Sequence, residues 1–179
     1  MKKLVLGFVV MLGCANAQDF TLSSPELEAN GLTNKQMFNQ FGCQGENISP
    51  ALEWKNAPKD TKSFVLTVYD PDAPSGSGWW HWVVANIPPA TTGIIENAGS
   101  SVDLMPKGSW SVRNDYGIKT FGGACPPEGR THRYQFTLYA LDIDQIPESE
   151  AASPAFIGFM ANHHAIGKAT MTYTFGRSI

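Results

Sequence analysis

The chain has 179 residues, with 13 Lys+Arg against 16 Asp+Glu, a formal charge of −3, and 42% hydrophobic residues including ten Phe and five Trp. This length suits one domain with a real core. The acidic balance argues against a nucleic-acid or polyanion binder, and the aromatic content excludes a disordered chain.

The N-terminus reads as a secretory signal peptide over residues 1–17. Lys2 and Lys3 form a positive head, Leu4 to Leu12 is an apolar run, and Ala15-Asn16-Ala17 places small residues at a peptidase site. The run is too short to cross a membrane as a helix, and no later segment reaches that length, so no transmembrane segment is expected. Cleavage after Ala17 leaves a single domain over residues 18–179 in the periplasm or outside the cell. It removes two lysines and no acid, making the net charge about −5, which repels anionic lipid surfaces. A lipoprotein anchored at Cys14 is the alternative, although Met11-Leu12-Gly13 is a poor lipobox.

Without Cys14, two cysteines remain, Cys43 and Cys125. In an oxidising compartment they can form one intramolecular bridge. It would close a loop of about 80 residues, worth roughly 4 kcal/mol on chain-entropy grounds.

Beyond Gln18 the pattern is of strands joined by Gly-, Pro- and Ser-rich loops, with neither an internal repeat nor a linker. FVLTVYD (Phe64 to Asp70), WHWVVANI (Trp80 to Ile87) and RYQFTLYALD (Arg133 to Asp142) are rich in β-branched and aromatic residues. Residues from Pro88 to Gly129 read as long loops with short strands, built around a site. Ser153 as N-cap and Pro154 at the first helical position predict a helix, with Gly167 as its stop. Phe156, Phe159, Met160 and His163 fall at helical spacing and are expected to face the body. His163 and His164 lie in the last turn, where the macrodipole favours a cation, and read as structural. Thr170 to Phe175 alternates as a final strand, with Met171, Tyr173 and Phe175 on one face. The sum is a mainly β protein, an antiparallel two-sheet sandwich with one late helix and long site-bearing loops.

Side chains alternate along a strand, so parity locates polar groups. Asp70 continues the apolar face of Phe64, Leu66 and Val68, while His132 and Tyr134 open the face of Phe136, Leu138 and Ala140. A hairpin joining the first two long strands would bring Asp70 near His81. Each group borders a Pro-rich stretch (DPDAP or CPPEG), which together describe a small polar pocket in an apolar wall. Each residue alone could equally be a satisfied core or turn residue. Trp79 and Trp80 could be rim or core.

These residues also carry a family resemblance. DPDAPS (Asp70 to Ser75) followed by His81-Trp82, and GGACPPEGRTHRYQF (Gly122 to Phe136), resemble the two signature regions of the phosphatidylethanolamine-binding protein (PEBP) family, also called Raf kinase inhibitor-like proteins. Asn47-Ile48-Ser49-Pro50, with Leu52 and Trp54, and Arg113-Asn114-Asp115-Tyr116-Gly117 are similar to its bacterial YbhB/YbcL-type branch, the exported YbcL-like members in particular. The resemblance spans nearly the whole mature chain. It implies a two-sheet β fold and a pocket for phosphate or phosphoethanolamine, formed by Asp70, Pro74, His81, Pro126, Pro127, His132 and Tyr134. Cys125 departs from animal members, which carry Gly there; a bridge to Cys43 would pin the pocket rim.

The expected function is therefore an exported, non-catalytic binding protein for a small anionic or phosphorylated ligand such as a lipid headgroup. A protein-inhibitor or signalling role, a protein partner and a homodimer stay open. No catalytic residue, cofactor or metal is assigned. The alternatives are a hydrolase using His81 or His132 as base, against which no G-x-S-x-G elbow is present, and a metal site of Asp70, His81 and His132, for which no H-x-x-x-H pair exists.

Overall fold

The computed structural model describes residues 18–179; the expected signal peptide and Cys14 lie outside the described residues. In chain order the elements are β1 (Thr21–Ser23), α1 (Pro25–Asn30), β2 (Leu52–Lys55), β3 (Ser63–Asp70), β4 (Trp79–Ile87), β5 (Gly93–Ile94), two short 3-10 turns (Ala98–Ser100 and Val102–Leu104), β6 (Trp110–Ser111), β7 (Thr131–Leu141), α2 (Pro154–His164) and β8 (Ala165–Gly176). They build two antiparallel sheets, β1-β2-β5 and β6-β4-β3-β7-β8, as the strand patterns predict.

The larger sheet is buried on both faces at its centre, which is why FVLTVYD is apolar nearly throughout. Its even face (Phe64, Leu66 and Val68, with Trp82, Phe136 and Leu138) packs against Leu22, Leu52 and Trp54 of the smaller sheet. Its odd face (Val65, Val83, Ala85 and Tyr139) packs against Ile157 and Ala161 of α2. The result is three layers, sheet on sheet with α2 on the outer face. Along β8, Met171, Tyr173 and Phe175 turn toward the inter-sheet core and the threonines outward, as the alternation requires.

The helix differs from its expectation in two respects. Its buried stripe is Pro154, Ile157, Gly158 and Ala161; of the four residues expected to face the body, Met160 does so, half-buried against the same cluster, whereas Phe156 and Phe159 are 44% and 65% exposed and His163 is also exposed. The sheet beneath already carries Trp80, Trp110 and Tyr139, so the helix docks through small residues; Gly158 lies directly over the Trp80 ring. Apolar residues occupy both sides of this helix, and spacing alone selects the wrong one. Gly167 does not stop it either. The helix ends at His164, β8 begins at the next residue, and Gly167 is a strand position pressed close against the Pro58 ring.

The β3–β4 pairing sets the geometry of one end of the sheet. Val68 pairs with Trp82 and Tyr69 with Trp80, so His81 is an extra residue on β4, a β-bulge. The bulge places the consecutive residues His81 and Trp82 on the inter-sheet side, while Trp80 goes to the α2 side. Without it, strict alternation would send His81 to the helix side along with Val83.

Candidate functional site

Asp70 ends β3, the strand that lies between β4, from which His81 bulges, and β7, where His132 is the second residue. Asp70 is 3% exposed, a carboxylate that burial would penalise without partners. It has two: Oδ1 accepts the Asp72 N–H at 2.8 Å, and Oδ2 accepts Nδ1–H of His132 at 2.7 Å. The hairpin therefore brings Asp70 and His81 to one site, but the hydrogen bond of Asp70 goes to His132, across the β3–β7 pair.

His81 is held by backbone. Its Nδ1 lies 2.8 Å from the Gly122 carbonyl and 3.1 Å from that of Gly123. Carbonyls only accept, so Nδ1 carries the proton and Nε2 is left free. That Nε2 is buried with no partner, and the Tyr134 ring stands behind it. Burial lowers the pKa of His81; the Gly122 carbonyl, the Asp70 charge, the Gly123 carbonyl and Asp115 oppose this less strongly. Burial also raises the phenols of Tyr116 and Tyr134, with the Asp70 charge adding to both.

The neighbouring motifs serve as scaffolding. Asn47, at φ +56°, donates to the Phe121 carbonyl (3.0 Å) and accepts the Gly123 N–H (2.7 Å), fixing the segment that holds His81. Side chains are excluded at Gly122 and Gly123, where a Cβ would strike the Tyr116 ring and the Gln36 carbonyl respectively. Asn114 donates to the carbonyls of His81 (2.6 Å) and Thr120 (3.1 Å), and its oxygen accepts the N–H groups of Tyr116 and Ile118. This turn sets Tyr116 5.4 Å from the His81 ring. At the rim, Asp72 takes two side-chain hydrogen bonds and one backbone hydrogen bond from Arg133, which clamp the DPDAP loop to β7 and lower the Asp72 carboxyl to about 2.

These groups enclose a cavity of about 280 Å³. Of the expected residues, Asp70, Pro74, His81, Pro127 and His132 line it. Pro126 and Tyr134 do not: Pro126 turns inward behind Pro127, and the Tyr134 ring stands edge-on to His81 at 5.2 Å, buried beneath it. Phe41, Ala73, Ser75, Trp79, Tyr116 and Cys125 complete the lining. Trp79 is thus a cavity wall and Trp80 a half-buried ring packed against the core on the α2 side, both at the start of β4 rather than in the loop. Cys43 and Cys125 form a disulfide with Cα atoms 6.0 Å apart, which sets a sulfur in the cavity wall. Phe41 and Tyr116 come from irregular segments, so strand parity could not have found them.

A larger open cleft of about 790 Å³ runs along β2 and residues 89–95, but its ionisable side chains, Glu53 and Lys55, are exposed and face solvent. Among the described residues, no three His, Cys, Asp or Glu side chains are grouped as a metal site, and no helix is long and apolar enough to cross a membrane.

Comparison with known proteins agrees with this architecture. The sequence profile described as phosphatidylethanolamine-binding protein matches residues 28–176. The chain is 46% identical over 154 residues to the UPF0098 protein YbhB of Escherichia coli K12, covering 86% of this chain and 98% of that one. It is 45% identical over 171 residues to YbcL of the same organism, covering 94% and 92%. The crystal structure of E. coli YbcL superposes with a TM-score of 0.84 at 45% identity, over 89% of this chain and 99% of that one. CT736 of Chlamydia trachomatis superposes at 0.69 with 27% identity, over 89% and 99%. With the profile spanning most of the chain and both relatives matched almost end to end, this protein belongs to the phosphatidylethanolamine-binding protein family.

Proposed function

We propose that the chain is an exported, non-catalytic binding protein whose cavity takes a small anionic group of the phosphate or phosphoethanolamine kind. The observation that carries this reading is the pair of anchored imidazoles. His132 is anchored through Nδ1 to Asp70 and His81 through Nδ1 to Gly122 and Gly123, which leaves both Nε2 atoms for a guest. A buried, unpartnered ring nitrogen is costly in a finished core and useful in a site that awaits a ligand. A phosphate monoanion can donate its P–OH proton to a neutral Nε2 or accept from a protonated one, so each bound anion arrives with about one proton held between guest and ring.

Ser75, the serine in the cavity wall, donates to the Gly78 carbonyl rather than to a histidine, which favours binding over acyl transfer. The disulfide and the apolar head of the sequence both favour an oxidising compartment, periplasmic or extracellular. Isothermal titration with inorganic phosphate and with phosphoethanolamine at about pH 5.5 and about pH 8.5 tests the reading. Tighter binding at the lower pH is expected, and equal affinity at both would refute it.

A further inference from the structure

The disulfide is placed for chemistry as well as for support. Cys125 is partly exposed and lines the cavity, whereas Cys43 is 4% exposed behind it. Arg177, just past the end of β8, lays its guanidinium over the pair: Nη1 is 3.3 Å from Cys43 Sγ and 4.0 Å from Cys125 Sγ. The guanidinium is fixed by the Pro126 carbonyl (3.3 Å), the Gly42 carbonyl (3.3 Å) and the Glu128 carboxylate (2.8 Å). Next to Cys43, Phe41 and Gly42 form a turn with φ of +59° and +82°, closed by the Cys43 N–H on the Gln40 carbonyl at 2.9 Å and touched by Arg177 at the Gly42 carbonyl. A bulky residue at positive φ is strained and persists only where its surroundings hold it. Here the bridge holds it, together with Trp79 and Tyr116, whose rings lie 5.8 and 5.6 Å from Phe41.

We propose that Cys125 is a thiol–disulfide exchange site through which a dithiol reductant opens the Cys43–Cys125 bridge in the folded protein and releases the Phe41 wall of the cavity. One thiolate of the reductant attacks Cys125 Sγ, the sulfur it can reach. A mixed disulfide forms as the Cys43–Cys125 bond breaks, and Cys43 departs as a thiolate. That leaving thiolate is the one beside Arg177 Nη1, and a stabilised leaving group departs faster. The second thiol of the reductant, as its thiolate, then attacks its own sulfur in the mixed disulfide and frees Cys125. Two electrons pass from the dithiol to the pair, and the protons lost by the reductant's two thiols are available to the two cysteine sulfurs. The Phe41–Gly42 turn then loses its covalent tie, keeps only the hydrogen bonds from Arg177 to the Gly42 carbonyl and from the Cys43 N–H to the Gln40 carbonyl, and can relax.

The site is independent of which anion, if any, the cavity takes. The oxidised protein is exposed to glutathione, quenched with acid, alkylated and mapped by mass spectrometry; the glutathione adduct is expected on Cys125 about tenfold over Cys43. Native reduction by dithiothreitol is expected to be first order in reductant. It should slow about tenfold in Arg177→Gln and recover most of its rate in Arg177→Lys, which keeps a cation beside the leaving sulfur. Equal labelling of the two cysteines, a rate independent of reductant concentration, or a wild-type rate in Arg177→Gln would each overturn the proposal. Should Arg177→Gln fail to fold, adduct mapping on the wild-type protein decides the matter by itself.

Discussion

The last residue of β3 and the second residue of β7 are hydrogen-bonded to each other: Asp70 Oδ2 accepts Nδ1–H of His132 at 2.7 Å, with both residues buried. A carboxylate in that position selects the tautomer of the ring and its rotation, so Nε2 is the edge left for a guest. Asp70→Asn keeps the shape but can present its amide N–H₂ to the ring and reverse the tautomer. Phosphate affinity is expected to fall about 10- to 100-fold, the usual loss when an orienting partner is removed. Folding stability should drop by about 1–3 kcal/mol for the disrupted buried hydrogen bond. Titration calorimetry and urea denaturation measure the two effects. A variant that binds phosphate as tightly as the wild type would show that Asp70 does not position the ring for the ligand.

His81 gives a pH dependence of known sign. Burial lowers its pKa in the folded protein, so below the unfolded value of about 6.5 the unfolded chain binds more protons at this residue than the folded one. Its contribution is fully present above that value and is lost as pH falls through the window between the unfolded and the depressed folded pKa. The urea midpoint of the ligand-free protein should therefore decline on acidification below about pH 6.5, and the decline should be shallower in His81→Asn. Phosphate acts in the opposite sense, because a bound anion favours the protonated ring. Its stabilising effect should be larger at about pH 5.5 than at about pH 8.5. A midpoint profile that His81→Asn leaves unchanged would remove His81 from this account.

The bridge closes a long loop, with its two cysteines 82 positions apart in sequence. In the chain-entropy treatment, Cys43→Ala with Cys125→Ala costs about 4 kcal/mol, acting mainly by giving freedom back to the unfolded chain. The double variant should keep the native far-UV spectrum while its urea midpoint falls by a corresponding amount. A change below about 1 kcal/mol would mean that the unfolded ensemble already keeps these segments close.

How far the site could be read from sequence depends on regularity. Asp70, His132 and Tyr134 lie on long strands where alternation is strict, and parity alone set them at the ends of apolar faces. His81 came to the same place by a different route. Its β-bulge breaks alternation, and nothing in WHWVVANI marks which residue is the extra one. Phe41 and Tyr116 are positioned by a disulfide and by asparagine side-chain hydrogen bonds, which have no period at all. Pro126 and Pro127 are adjacent and alike in chemistry, yet one faces the cavity and the other the interior. The smaller sheet is built from strands of two to four residues, too short for a pattern to emerge.

Helix α2 gives the sharpest case, because both of its faces are apolar and only packing separates them. Ile157 is fully buried between the helix and the sheet, in contact with the cluster around Val65, Val83 and Leu141, whereas Phe159 is 65% exposed. Truncating Ile157 to Ala removes buried methyl groups and leaves a void that Trp80 and Tyr139 cannot collapse to fill, so about 2–4 kcal/mol of stability should be lost. Phe159→Ser, a larger change by volume, should cost no more than about 0.5 kcal/mol, since the ring meets mainly solvent and His163, stacked at 6.1 Å. Urea denaturation of the two variants compares the faces directly. If Phe159→Ser proved the costlier substitution, the helix would be turned over in solution, with Phe156 and Phe159 against the sheet as helical spacing by itself predicts.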